Sequence, residues 1–343
     1  MNYRFIFNMI GKVLKVEGLL LLLPTLTSAL YRETAFFYLG GSAIVTYLVG
    51  TLLAYFCKPT SKYFFAKEGF ISVASTWVAV PLFGAIPFVV SGEIPNFIDA
   101  LFETVSGFTT TGASIVPDVT KLSYGMNMWR CFTHWVGGMG IIVFVIALSD
   151  RVPDQSMYVL RAEMPGPIIG KLVPRARQTS VILYAIYIAM TVIMFIFLLC
   201  GGEMNVFEAA CHALGTAGTG GFGIKADSAG SYGAYSQWVL GVFMMLFGIN
   251  FNLYYLILVG KFKSFFKSTE MWTYVIIIVC ATGIISYNTL STFSNLPEAV
   301  RHAFFQVTSV STTTGYSSVD FDKWPNLSKA VLFLLMFIGG CAG

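Results

Sequence analysis

Three clusters of threonine and glycine hold the residues from which chemistry in this sequence is most readily built. They are FTTTGAS at 108–114, TAGTGGF at 216–222 and STTTGYS at 311–317. Each contains a threonine followed directly by a glycine: Thr111-Gly112, Thr219-Gly220 and Thr314-Gly315. None contains a carboxylate, an imidazole or a thiol, so the chemistry on offer is that of backbone carbonyl oxygen. A cation leaving water needs its hydration shell replaced, and rings of backbone carbonyls do this for K⁺. For successive carbonyls to face one line, some residues must take backbone angles that only glycine reaches without steric cost. Threonine hydroxyls can add a further ring of oxygens or hold the strand from behind. One such cluster is ordinary loop punctuation. Three, each following a short segment of similar length, form an internal repeat.

The elements that position these clusters are helical and apolar. Of 343 residues, 56% are hydrophobic and only 11% charged, against about 25% charged in a soluble domain. Lipid is therefore the expected solvent, and the short stretches of basic residues between apolar segments do not point to nucleic acid. Runs long enough to cross a bilayer, about 20 residues, fall at 16–31, 36–56, 69–91, 126–149, 179–201, 235–260, 271–290 and 327–343. Between them lie segments too short to cross, 97–108, 205–216 and 297–311, each ending in a Thr/Gly cluster. These read as re-entrant helices, whose irregular ends are tolerable only when buried in protein or lining water. Lys and Arg concentrate in loops 1–15, 57–68, 150–178 and 261–270, which places the N-terminus in the cytoplasm. Every Thr/Gly cluster then falls on the opposite side, beside acids such as Asp99, Glu103, Asp118, Glu208 and Asp320. An acidic mouth raises the local cation concentration.

The remaining polar residues give weaker signals. The six cysteines are scattered with no metal spacing, and no phosphate-binding, dinucleotide or protease motif occurs, so no cofactor is expected. His134, His212 and His302 read as satisfied polar residues. Ser106 with His134 is the one loose pair an intramembrane enzyme could use, and its spacing follows no catalytic logic. Glu17 is expected to reach the interface or to pair with Lys15. Gly137, Gly138 and Gly140 read as helix-packing positions. Asn250 and Asn252 read as helix–helix hydrogen bonders or as contacts of a nearby loop. Three glycines in the last five residues, Gly339, Gly340 and Gly343, favour a break in mid-membrane.

The stretches SGFTTTGAS (106–114), HWVGGMGIIV (134–143), LRAEMPGP (160–167), KLVPRARQT (171–179), STTTGYSSVDFDKWP (311–325) and FIGGCAG (337–343) resemble the Trk/Ktr/HKT superfamily of potassium transporters, in particular its TrkH branch. The resemblance implies an all-α membrane protein with repeated helix–pore-loop–helix units around a central pore and two extra N-terminal transmembrane helices. The boundaries would be a two-helix region at 1–68, pore repeat one at 69–150, a cytoplasmic loop at 151–178, repeat two at 179–260 and an incomplete repeat three at 261–343. A fourth repeat is expected outside the sequence, which is read as a fragment of the functional protein. The filter would consist of Thr109, Thr110, Thr111 and Gly112, of Gly218, Thr219 and Gly220, and of Thr312, Thr313, Thr314 and Gly315, with K⁺ as the transported ion. In the second repeat, Ala217-Gly218 takes the place of a Thr-Thr pair. Gly112, where some relatives carry serine and favour Na⁺, points to K⁺. Gly339, Gly340 and Gly343 would begin an intramembrane gating loop. The resemblance further implies a homodimer in the bacterial inner membrane, governed by a cytosolic nucleotide-binding RCK-type subunit that the basic loop 150–178 (Arg161, Lys171, Arg175, Arg177) would dock. An H⁺- or Na⁺-coupled secondary transporter is the alternative.

Overall fold

The computed structural model describes residues 2–58, 66–140 and 176–340, and those residues contain helices, turns and extended segments but no strand. The chain divides into two compact units, 1–108 with 113–185, and 109–112 with 186–343.

The first unit holds α1 (Tyr3–Leu20), α2 (Leu22–Leu30), α3 (Ala35–Phe56), α4 (Ala66–Gly84), α5 (Ile86–Ser91), α6 (Phe97–Phe108) and α7 (Tyr124–Gly138). Residues 1–15 were expected to form a cytoplasmic loop, yet α1 starts at Tyr3, with the Asn2 side chain accepting from the Phe5 amide at 3.2 Å. The cause is a stripe at helical spacing: Ile6, Ile10 and Leu14 are buried against Val49, Leu53, Ile71, Ala79 and Phe83. The helix is interrupted at Leu21 because Pro24 has no amide to continue the ladder. Glu17 does not reach the interface. It is fully buried with Oε1 against Gly84, and it has no hydrogen-bond partner among the described residues. Lys15, two residues earlier, points elsewhere and lies 5.5 Å from the centre of the Tyr47 ring.

Glycines set the distance between α1 and α3. A Cβ on Gly11 would lie 2.7 Å from the Gly50 carbonyl oxygen, and one on Gly50 would lie 2.6 Å from the Lys15 nitrogen. Small residues at such a crossing let two backbones touch in a medium where apolar side chains gain nothing by leaving lipid. Gly50→Val should therefore destabilise this helix pair by about 1–3 kcal/mol, read as a lower melting temperature in detergent. Gly41→Val, at a position with nothing within 4 Å, should leave the melt unchanged.

α8 (Ala176–Cys200) begins in the first unit and ends in the second. The second unit continues with α9 (Val206–Ala217), α10 (Ala234–Phe247), α11 (Phe251–Leu258), α12 (Phe262–Phe266), α13 (Thr269–Asn288), α14 (Leu296–Ser311) and α15 (Asn326–Leu335). Its core is a layer of α13, α14 and α15 side chains that includes Ile278, Ile285, Ala303, Val307 and Leu332. Among the described residues, α3, 67–91, 181–200 and α13 are each long and apolar enough to cross a membrane. The expected span 235–260 is not straight: α10 and α11 meet at 87°, with the Asn250 side chain capping the Asn252 amide at 3.0 Å. The run from 327 ends as a helix at Leu335, and Gly339 takes φ 68°.

One sequence of elements recurs: long helix, short helix, extended segment, second helix. It occurs as α4–α6–α7, α8–α9–α10 and α13–α14–α15. The three short helices match the expected 97–108, 205–216 and 297–311 to within one residue at each end. A shared detail marks the recurrence. Four residues after the N-cap of the second helix, a side chain donates back to the preceding loop: Asn127 to Val119 O (2.9 Å), Gln237 to Tyr232 O (3.0 Å) and Lys329 to Asp322 O (3.2 Å).

Candidate functional site

Each Thr/Gly segment leaves the end of a short helix with the same unusual backbone. Thr110, Thr219 and Thr313 have φ of 56°, 52° and 60°, and two residues later Gly112, Gly221 and Gly315 have φ of 76°, 75° and 86°. A β-branched residue at positive φ is a genuine outlier, costing about 1–3 kcal/mol where the surroundings enforce it. Its recurrence at one position in three segments marks an imposed geometry. The hydrogen bonds agree: Gly218 N donates to Leu214 O and Thr219 N to Thr216 O, as Thr312 N does to Thr308 O and Thr313 N to Val310 O.

This pattern corrects the sequence alignment by one residue in the second segment. The counterpart of Gly112 and Gly315 is Gly221, not Gly220, and Gly220 stands with Thr111 and Thr314. The expected set Gly218, Thr219 and Gly220 lies within the segment but omits the residue with the glycine-only backbone. Two consecutive glycines made the slip possible, because either one follows the threonine closely enough to satisfy a Thr-Gly pattern.

The segments pack side by side within the second unit, which includes 109–112. A Cβ on Gly112 would collide with the Gly220 carbonyl oxygen, and it would lie 3.2 Å from the Gly220 carbonyl carbon and 3.9 Å from Thr314 O. A Cβ on Gly221 would collide with the Thr314 carbonyl oxygen and lie 2.9 Å from its carbon. Gly220 and Thr314 are equivalent, so one neighbour relation is repeated from segment to segment. Gly315 has nothing within 4 Å. Thr109, Thr110, Thr111, Gly112, Thr219, Gly220, Gly221, Thr314 and Gly315 thus belong to one arrangement of adjacent carbonyl-bearing segments.

In the first and third segments, two hydroxyls bridge the strained threonine: Thr109 to Thr111 at 2.8 Å and Thr312 to Thr314 at 2.7 Å. In the second, both positions are glycine (Gly218 and Gly220), so this brace is missing as a whole. At one position seven residues before each strained threonine, the short helices carry Glu103, His212 and Gln306, all buried. Glu103 pairs with Arg130 at 2.6 Å and accepts from Ser114 Oγ (3.0 Å) and the Ile115 amide (2.9 Å). Sequence reasoning assigned Glu103 to an acidic mouth. It is instead an internal anchor for the strand that follows Gly112. His134 has its Nδ1 2.8 Å from Gly107 O, and Gly137 packs on the Phe108 carbonyl. Gly140, at φ 78°, lies two residues past the end of α7. His212 Nε2 lies 3.2 Å from Tyr232 Oη and His302 Nδ1 2.9 Å from Ser318 Oγ. No group of three metal-ligating side chains occurs among the described residues.

In the loops after the first and third segments, Asp118 and Asp320 occupy equivalent positions and cap equivalent turns. The Thr120 hydroxyl and amide hold the Asp118 carboxyl below the usual range, and Lys323 does the same for Asp320. Each acid also pairs with a lysine three residues on, Lys121 at 3.6 Å and Lys323 at 3.1 Å, which offsets part of the expected negative potential.

Of the glycines expected to form a break, Gly343 lies outside the described residues. A Cβ on Gly340 would lie 3.3 Å from Gly248 O. Gly248 ends α10 at the 87° elbow, and a Cβ there would lie 2.8 Å from Thr312 Cγ2. Asn250 and Asn252 were expected as helix–helix hydrogen bonders or as contacts of this loop; among the described residues, Gly248, two residues before Asn250, makes the close approach to Gly340. Tyr274 Oη donates to Met245 O at 3.1 Å beside it. A cavity of about 320 Å³ adjoins Gly339 and Gly340, lined also by Glu270, Tyr274, Ser311 and Ile338.

A family model described as "TrkH: Cation transport protein" matches residues 41–343. The "Trk system potassium uptake protein TrkH" of Escherichia coli is 30% identical over 353 aligned positions, which cover all of this chain and 72% of that protein. The TrkH of Halomonas elongata is 29% identical, with the same coverage. The crystal structure of "the Potassium Transporter TrkH from Vibrio parahaemolyticus" superposes with a TM-score of 0.87 at 27% identity, covering all of this chain and 71% of that one. With its long apolar helices, these matches make the chain a multi-pass membrane protein of a transporter family, not an enzyme family. It belongs to the TrkH family of cation transport proteins.

Proposed function

We propose that this protein carries K⁺ across the membrane through a ring of backbone carbonyls, with 109–112, 218–221 and 312–315 as three of its walls. The observation that carries this reading is the repeated neighbour relation, Gly112 on the Gly220 carbonyl and Gly221 on the Thr314 carbonyl. Strands related in this way bring equivalent oxygens together at successive levels, as dehydrating a monovalent ion requires. The free side of Gly315 is where a fourth such segment would stand. The relatives named above, potassium uptake proteins and a potassium transporter, support K⁺ as the ion. The units 69–150, 179–260 and 261–343 act as pore repeats, with the helices α1, α2 and α3 outside them.

The extended stretch at Gly339 and Gly340 serves as the gate, beneath Thr312 by way of Gly248, and the adjacent cavity gives it room to move. A homodimer in the bacterial inner membrane, with its N-terminus and a nucleotide-binding RCK-type subunit on the cytoplasmic side, completes the assembly.

The test is uptake of Rb⁺ by the full-length protein in cells lacking other potassium uptake. K⁺ should compete fully and Na⁺ weakly. Gly112→Ser and Gly315→Ser should each raise competition by Na⁺ about tenfold or more, equivalent to about 1.4 kcal/mol. Unchanged competition in both variants would overturn the proposal.

A further inference from the structure

The second segment lacks the hydroxyl pair of the other two, and it also lacks a second support. In the third repeat, Ser309 on α14 donates its hydroxyl to the Tyr316 carbonyl at 2.6 Å, tying the helix to the chain just beyond Gly315. The equivalent residues in the second repeat are Gly215 and Phe222. Glycine has no hydroxyl to give, yet the Phe222 carbonyl is not left open. The Tyr316 hydroxyl from the third repeat lies 3.4 Å away from it. Gly215 makes the room, since a Cβ there would collide with that same hydroxyl.

Tyr316 is fully buried, and its ring centre lies 5.3 Å from that of His212 on α9. The next residue continues the link between repeats: Ser228 Oγ accepts from Ser317 N at 3.2 Å, and Ala229 N donates to Ser317 O at 2.9 Å. The equivalents of Tyr316 in the first and second segments are Ala113 and Phe222, which have no hydroxyl.

We infer that Tyr316 is a positioning residue for the second segment, with its hydroxyl replacing across repeats the serine that the third repeat uses within itself. The hydroxyl bonds the exit of 218–221 at Phe222 and lies against the last turn of α9 at Gly215. It fixes the Gly220 carbonyl, against which Gly112 packs, in a segment that lacks the hydroxyl pair of the other two. This inference rests on the reading of these segments as a selectivity filter.

The test is a pair of substitutions, each of which should harm the protein alone and repair the other in combination. Tyr316→Phe removes the hydroxyl, and K⁺ over Na⁺ discrimination in Rb⁺ uptake should fall roughly five- to tenfold, the scale of one lost hydrogen bond. Gly215→Ser puts two hydroxyls where one fits and should fall at least as far. In Gly215→Ser/Tyr316→Phe the introduced serine hydroxyl is free to bond Phe222 O, the arrangement of the third repeat. Discrimination should then return to within about twofold of the parent.

A merely structural tyrosine predicts that the double variant is the worst of the three, and that result would overturn the inference. So would Tyr316→Phe with unchanged discrimination while Gly315→Ser alters it. If Gly112→Ser and Gly315→Ser also change nothing, the filter reading itself fails. If either single variant does not fold, recovery of a monodisperse peak in the double variant reads the same repair, and its absence counts against it.

Discussion

Gly221→Ser should reduce Rb⁺ uptake by well over tenfold, while Gly220→Ser should leave it within a few-fold of the parent. The two residues are neighbours of identical type, so composition and depth cannot distinguish them. Backbone geometry does. Gly221 sits at φ 75°, where any other residue is strained by about 1–2 kcal/mol, and a Cβ there would collide with the Thr314 carbonyl oxygen. That oxygen cannot yield without turning away from the proposed ion path, because Gly315 follows it in a left-handed conformation of its own. Overpacking at such a site adds about 1–3 kcal/mol. Gly220 is not among the residues with positive φ, and its equivalents Thr111 and Thr314 already carry branched side chains. The reverse ranking would restore the alignment of Thr219-Gly220 with Thr111-Gly112 and remove the neighbour relation on which the proposed function stands. Uptake assays with matched expression decide between the two.

The limits of the short helices were legible because their chemistry is local. Asn205 with Glu208 forms a reciprocal cap, and Asn295 precedes Glu298 in the same way, a signature visible before any fold is known. The same caps held an unused clue to the register. Asn96, which accepts from the Ile98 amide at the start of α6, lies sixteen residues before Gly112, as Asn205 lies sixteen before Gly221, so counting between the first two segments selects Gly221; in the third, Asn295 lies twenty before Gly315. The elbow at Gly248 was not legible, because the run from 235 to 260 carries no charged residue and hydropathy does not record direction. The contact of Gly340 with Gly248 and the Tyr316 hydroxyl both join residues far apart in the chain, and no period or motif encodes such a meeting. The start of α1 was misassigned for a different reason: its basic residues outweighed a stripe of only three buried aliphatics.

Arg130→Met should destabilise the protein by about 3–5 kcal/mol, the cost of leaving one member of a buried ion pair without its partner. Both side chains are essentially inaccessible, at 1% and 0% of their free areas. The guanidinium is shared out completely, with Nε on Glu103, Nη1 on Asn127 at 3.1 Å and Nη2 on Ser114 at 3.2 Å. Replacing both members with apolar residues of similar volume, Glu103→Leu with Arg130→Met, removes the stranded charge. It should recover most of the loss in a detergent melt, because the pair contributes little net stability once its desolvation is counted. Ion discrimination should not recover with it. Glu103 holds the Ser114 hydroxyl and the Ile115 amide, and these fix the chain two and three residues beyond Gly112. A leucine offers them no acceptor, so the strand leaving the first segment loses its anchor even in a protein that melts normally. A double variant with both parental stability and parental K⁺ over Na⁺ discrimination would show that Glu103 and Arg130 only fill space, and that Gly112 is positioned by its neighbouring strand alone.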